Sequence, residues 1–299
     1  MASLKALRQR IRSVTNTRQI TKAMKMVAAA KLRRSQERAL ATRPYSMQMG
    51  RMVQSIATRV GKGSAPPLLV GHGESQKQVE LVLFTADRGL CGSFNSSVIR
   101  AVRSKVAELR AAGVQVTLTC VGRKGDDVLK RQFGGSIRRV HTGMGKRLTF
   151  ERAEQEIARP LLHDFEHGRF DSCFIVYNAF VSAMTQTLTW RQIIPVPEEA
   201  MAAGEEEHGH GQAAPPTYEP DEEEILAELL PRNVAVQIFQ ALVESDASEN
   251  GARMTAMDNA VRNAGSMLRR LRITYNRTRQ AAITSELMEI ISGSESLKG

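Results

Sequence analysis

The apolar positions of the first sixty residues recur at helical spacing. Leu4, Leu7, Ile11 and Val14 step by three and four, and after a break Ile20, Met24 and Val27 resume. Met49, Val53, Ile56 and Val60 restore the rhythm. The step from Val14 to Ile20 falls short of a heptad, which predicts a local shift in supercoil geometry. Pro44 predicts a bend, and GKGSAPP at 61–67 ends the helix. One stretch breaks the usual pattern. In TKAMKMVAAAKLRR, 21–34, the Ala, Met and Val side chains of 23–30 point to every side of the helix and leave no side for water except where Lys22, Lys25 and Lys31 stand. A helix that is apolar all round is normally surrounded.

The far end of the chain repeats the theme. From Pro231 to about Ile291 a second long helix is predicted. Met254, Met257, Val261, Ala264, Leu268, Leu271, Tyr275, Thr278 and Ala282 follow a three-four alternation without a slip, a sustained coiled-coil seam. ITSELMEII, which continues past the seam, is apolar on all sides. The simplest arrangement pairs the two ends as an antiparallel coiled coil.

Between them the period changes. VELVLFT (79–85), VQVTLTCVG (114–122), CFIVYNAF (173–180) and TLTWRQIIPV (187–196) read as strands. Helices are predicted at 96–111, about 124–133 and 149–166. Strands alternating with helices imply an α/β domain with a largely parallel, Rossmann-like sheet. The predicted division is an N-terminal coiled-coil helix over 1–62, a central α/β domain over 63–224 that includes an acidic loop at 197–224, and a C-terminal coiled-coil helix over 225–299.

Charge sharpens this picture. Residues 1–62 carry fifteen Lys or Arg against one acid, Glu37, a net of +14. Residues 253–279 carry seven Arg against Asp258 alone, a net of +6. Residues 192–231 carry eleven acids and no Lys or Arg. Basic ends fit a nucleic acid or an acidic protein partner equally well. No apolar run approaches a membrane span, and the first residues lack a signal-peptide core. Cys91, Cys120 and Cys173 are widely spaced with no CxxC pair, which predicts free thiols in a reducing compartment.

Candidate chemistry is sparse. The loop ADRGLCGSFN after the first strand lacks G-x-G-x-x-G, and no G-x-x-x-x-G-K-[ST] occurs. GMGKRLT at 143–149 has Gly-Lys without the upstream Gly. Asp87 and Arg88 are an acid and a base in a βα loop, where such residues more often cap a helix or pair with each other. Cys91 has no recognisable His partner. His208 and His210 form an H-x-H too small for a metal site. No catalytic residue, cofactor or metal site is predicted.

Five segments are more specific. ITKAMKMVAAAKLRR, TADRGLCGSFN, YNAFVSAMTQ, ESDASENGARMTAMDNA and YNRTRQAAITSELMEIISG resemble, in order and over nearly the whole chain, the gamma subunit family of F-type ATP synthases. The run Ile283-Thr284-Ser285-Glu286 with Glu289 and Gly293 looks like the family signature, which it leaves at Ser294, where Ala is usual. The resemblance implies a coiled-coil shaft within a ring of alternating alpha and beta subunits. It implies an α/β domain beside the epsilon subunit and on the c-ring, with one copy per complex. It further implies a rotor without catalytic residues, which couples proton-driven rotation of the c-ring to ATP synthesis or hydrolysis. The place implied is peripheral, on the cytoplasmic face of a bacterial inner membrane. Met24 and Lys25 match a shaft position facing an acidic loop of beta, and Arg253 matches one at the same level. Arg279, Gln280, Thr284 and Glu286 match an upper contact with beta, and Tyr218 and Glu219 match the region near the c-ring. A basic coiled-coil nucleic-acid-binding protein is the competing reading, but it leaves the all-round apolar segments unexplained.

Overall fold

The computed structural model describes residues 3–57, 66–73, 77–196 and 222–296. The acidic segment 197–221 lies outside them, and with it His208, His210, Tyr218 and Glu219. The described chain runs α1 (Leu4–Ala57), α2 (Pro67–Val70), β1 (Gln78–Phe84), α3 (Phe94–Ala111), β2 (Gln115–Val121), α4 (Arg123–Phe133) and β3 (Ile137–His141). It continues through α5 (Phe150–Ala153), a π-helical turn (Glu154–Ala158), α6 (Arg159–Glu166), β4 (Ser172–Phe180), β5 (Gln186–Ile194) and α7 (Glu222–Ser296). It divides into two compact units. Both long helices contribute to each.

In the unit from Ala29 to Arg253 the five strands lie in the order β3-β2-β1-β4-β5. The first four are parallel and β5 runs antiparallel to β4. β1 shows why this sequence makes a central strand. Val79, Leu81 and Leu83 face α3 and α4, while Val82 and Phe84 join the opposite core with α6 and α7. Burial on both faces turns the usual alternation into a nearly continuous apolar run. α3 presents Val98, Val102 and Val106 at four-residue spacing to the sheet.

Three expectations change here. β3 is a fifth strand that the apolar pattern did not predict. Its sequence, IRRVH, carries two arginines because they serve buried acids. Arg138 lies 3.2 Å from the fully buried Glu80, and Arg139 and Arg169 bind Asp164, equally buried. Next, α7 begins at Glu222, nine residues before Pro231, which sits inside the helix. Leu226 and Leu230 on this added stretch are buried against Val53, Ile56, Leu69 and Val196. Packing outweighs the missing N–H of the proline. Finally, the helix at 149–166 contains a π-helical turn.

Between Asn233 and Ala252, α7 is buried almost all round, with α1 and the sheet as neighbours. Its polar residues act as fasteners. Glu244 accepts from Arg43 Nε at 2.8 Å and from the backbone N–H of Phe180 at 2.9 Å. Arg43 also donates to the Phe180 carbonyl at 2.9 Å. One knot thus holds α1, α7 and β4. Nearby, Ser35 donates to Asp246 at 2.5 Å and Ser46 donates to Gln240. Gly251 lets the β4–β5 hairpin approach: a side chain there would meet the Ala183 carbonyl at 3.2 Å.

The other unit comprises residues up to Ala28 and from Met254 onward. It is an antiparallel helix pair. Arg8 donates to the Tyr275 hydroxyl at 3.0 Å and Lys25 to Asp258 at 2.6 Å. Seventeen residues separate the first members of these pairs, and seventeen separate the second. The α7 seam is as the spacing predicts: all nine of its positions are buried or half-buried. The α1 seam is not. Ile20 and Val27 are 60% and 58% exposed, while Thr21, Lys25 and Ala28 turn toward α7. Leu7, Val14, Thr21 and Ala28 keep a strict heptad, so the expected slip does not occur. Polar side chains occupy the seam positions there, which hid its phase.

Removing one partner of the Arg43 knot strands the other. Glu244→Ala is expected to cost about 3–5 kcal/mol in urea denaturation, the range for breaking a buried ion pair. Glu244→Gln keeps an acceptor for Phe180 and is expected to cost less. Equal, small losses from both would show that the knot contributes little.

The buried acids set opposite pH slopes. Burial pushes Asp164 up, but the hydrogen bond from Arg139 and the charges of Arg139, Arg138 and Arg169 outweigh it and hold the carboxyl below its usual range. Its stabilisation is therefore present above the unfolded value of about 3.9 and lost as pH falls through the lower folded value. Burial pushes Glu80 up against its bonds to Thr117 and Thr119, so its contribution is lost as pH rises through that raised value. Asp164→Asn is expected to flatten the acid limb of the stability curve measured by urea melts from about pH 5 to pH 2. An unchanged limb would assign acid lability elsewhere.

Candidate functional site, a partner-contact surface

The residues singled out by sequence fall on three places. Met24 and Lys25 lie on α1 in the two-helix unit. Met24 is half-buried, and Lys25, 42% exposed along its side chain, binds Asp258. Asp258 is also held by Arg262 at 3.0 Å. The hydrogen bond from Lys25 and the charges of Lys25 and Arg262 hold its carboxyl below the usual range. Asp258, the single acid of 253–279, was missed as a site residue. Its isolation among seven arginines was the available signal.

Arg279, Gln280, Thr284 and Glu286 share one exposed stretch of α7. The Thr284 hydroxyl donates back to the Gln280 carbonyl at 2.9 Å. Past Ala282 the helix loses its covered side. Ile283, Leu287, Met288, Ile290 and Ile291 are between 45% and 72% exposed. Among the described residues nothing covers this run. Met26, at 66% exposure, and Val27 give α1 a similar uncovered apolar face. Such a surface on a folded chain marks an interaction site.

Arg253 stands in the sheet-bearing unit and is not a free cation. Its guanidinium binds Glu249 at 2.6 Å and donates to the carbonyls of Gly89 at 3.3 Å and Arg88 at 3.4 Å. It pins the loop after β1. Ala252 packs beside it against Ala86, Cys91 and Phe94. Asp87 uses both oxygens locally, accepting from the Arg123 and Gly143 backbone N–H groups. It thus serves the first N–H of α4 rather than capping α3, the helix that follows its own loop, and it does not pair with Arg88. Leu90, in the same loop, has φ +64° and is 64% exposed. A leucine in the left-handed region is an outlier that sequence does not signal. The pinned loop holds it there.

The three cysteines are free and buried. Burial raises the Cys91 thiol despite the nearby Arg253 charge, and burial pushes Cys120 up to about 12. None is poised as a nucleophile. Among the described residues no group of three or more His, Cys, Asp or Glu could hold a metal, and no helix is long and apolar enough to cross a membrane.

Comparison with known proteins gives this surface its context. Residues 3–297 match the family model described as ATP synthase. The chain is 59% identical to the ATP synthase gamma chain of Magnetococcus marinus, over the full length of both. It is 52% identical to that of Rhodospirillum rubrum, over 99% of this chain and all of the other. Among solved structures it resembles a chain of the Tetrahymena thermophila mitochondrial ATP synthase central stalk and c-ring. That likeness has a TM-score of 0.60 at 27% identity, over 81% of this chain and 99% of that one. A chain of the Euglena gracilis mitochondrial ATP synthase shares the fold, with a TM-score of 0.68 at 22% identity over 98% and 94%.

If Arg253 pins the loop, releasing it exposes what lies beneath. Arg253→Ala is expected to raise the alkylation rate of native Cys91 at least about tenfold, because reactivity follows access and thiolate fraction. Arg253→Lys, which keeps the charge but loses the planar fork, is expected to fall between. Mass spectrometry of labelled peptides reads the rates. An unchanged rate in Arg253→Ala would mean that Ala252 packing alone holds the loop.

Proposed function

The chain belongs to the ATP synthase family as one of its gamma chains, a rotor subunit of the central stalk. On that premise we propose how its surfaces engage the rest of the complex. As the central shaft it couples rotation of the c-ring to ATP synthesis and hydrolysis. This displaces the nucleic-acid reading of the basic ends.

The exposed apolar run from Ile283 to Ile291 carries the proposal. A helix apolar on every side needs a sleeve, and a ring of alternating alpha and beta subunits supplies one. Arg279, Gln280, Thr284 and Glu286 meet beta there. Met24 and Lys25, with Met26 and Val27 beside them, meet an acidic loop of beta. Arg253, in the sheet-bearing unit, contributes a contact with beta of its own through the loop it holds. Tyr218 and Glu219, outside the described residues, lie near the c-ring, and the α/β unit also binds epsilon. One copy serves each complex, peripheral to the cytoplasmic face of the bacterial inner membrane. The subunit itself performs no chemistry. Its influence on the catalytic sites equals the difference in contact free energy between shaft angles.

Hydrogen exchange tests the sleeve. In the isolated chain, amides of 283–291 are expected to exchange much faster than those of 257–271, since a helix end without tertiary packing is marginal. In the assembled complex both stretches are expected to be protected. Fast exchange of 283–291 in the assembled complex would overturn the sleeve. Coupling gives the functional arm. Arg279→Ala is expected to reduce ATP-driven proton pumping more than ATP hydrolysis, whereas equal loss of both would remove Arg279 from the contact.

A further inference from the structure

A cavity of about 280 Å³ lies in the sheet-bearing unit, between the C-terminal end of α1, the end of β5 and the early turns of α7. Val53 and Val196 form its apolar wall, and Gln54, Arg191 and Asn233 are its polar lining of interest. Two of these carry orphaned atoms. Gln54 Nε2 and Asn233 Oδ1 are buried and have no hydrogen-bond partner among the described residues. Asn233 is only 2% exposed. Native structures leave few such atoms, and each calls for an explanation. Arg191 has no carboxylate within ion-pair distance among the described residues. The neighbouring polar groups are spent, Ser46 on Gln240 and the Gln192 amide on the Pro195 carbonyl at 2.9 Å.

The groups that need a partner are therefore one cation, one buried donor and one buried acceptor, with the half-buried Gln237 amide also on the lining. A metal ion is excluded by the guanidinium and the lone oxygen. An apolar molecule would leave all three unpaired. A carboxylate fits the first two, because guanidinium and carboxylate match in shape and charge. The acceptor Asn233 Oδ1 requires a donor on the same ligand. We propose that this cavity binds a small hydroxycarboxylate. Its carboxylate accepts from Arg191 and Gln54, and its hydroxyl donates to Asn233. Gln54 is on α1, Arg191 on β5 and Asn233 on α7, so the ligand would bridge all three elements and stabilise the folded chain by mass action.

The experiment uses the full chain with L-malate and succinate, which differ by one hydroxyl, at constant ionic strength. L-malate is expected to titrate calorimetrically to one site per chain and to raise the unfolding temperature saturably. Succinate is expected to bind at least about tenfold more weakly, since Asn233 is then left unpaired. Arg191→Gln is expected to weaken malate binding at least about tenfold by removing the charge-assisted bonds. Asn233→Asp sets a carboxylate against the ligand and is expected to do the same. Should that variant fail to fold, the succinate comparison and Arg191→Gln still decide. Absence of saturable malate heat at tens of millimolar would mean that water alone fills the cavity and would overturn the proposal. So would equal affinity for malate and succinate, or undiminished binding in Arg191→Gln.

Discussion

The sheet-bearing unit depends on a buried charge. Glu244 sits in the middle of a helix that is covered on almost every side, and Arg43 and the Phe180 N–H meet it there. A buried ion pair adds little net stability over an apolar one, because desolvation consumes most of its Coulomb gain. What it supplies is position. Apolar side chains of α1 and α7 could slide by a turn and still be buried, but Glu244 has one partner set. Arg43 reaches the Phe180 carbonyl as well, so the same knot fixes both helices to β4. Ser35 with Asp246, and Ser46 with Gln240, repeat the device along the same pair. A subunit that transmits rotation needs fixed register more than it needs extra stability.

The two-helix unit solves the same problem with less. Its seam is built from Ala28, Met257, Ala264 and Leu268 as much as from large side chains. Small residues allow close approach but bury little area, and each buried methylene contributes only about 0.8 kcal/mol. Lys25 and Asp258 pin the register there, a polar pair beside the seam as coiled coils use elsewhere. The remaining apolar surface, on Met26, Val27 and the run after Ala282, is uncovered among the described residues. It is available to a partner, and it makes the free subunit prone to association.

Sequence was most legible where one physical term dominated. The α7 seam could be placed residue by residue because its apolar spacing has no slip. β1, β2, β4 and β5 were legible as apolar runs bounded by turns. Legibility failed where polar residues serve buried partners. IRRVH does not look like a strand, since the reason for Arg138 and Arg139 is Glu80 and Asp164, distant in sequence. Thr21 and Lys25 hold the α1 phase that Ile20 seemed to claim. Pro231 looked like a helix start, yet Leu226 and Leu230 carry the helix through it. As for the proposed contact residues, the family resemblance pointed to Arg279 to Glu286, which lie exposed, but it could not show that Arg253 is tied inward. A hydrogen bond to a loop carbonyl leaves no trace in composition.

The strand order also explains why an α/β domain of this kind can serve as a structural part. In such sheets the strand order reverses between the parallel β1 and β4, and the crevice at the carboxyl ends of those two strands is where ligands usually sit. Here α7 crosses that place. Ala252 packs on Ala86, Cys91 and Phe94 beyond β1, and Arg253 takes the loop carbonyls of Arg88 and Gly89. On the β4 side Glu244 caps the Phe180 N–H, and Gly251 lies against Ala183. The loop carbonyls of Arg88 and Gly89 and the N–H of Phe180 are thus engaged by a helix of the same chain. The feature that makes the fold a common binder becomes a socket, and what it holds is the 244–253 stretch of its own helix α7.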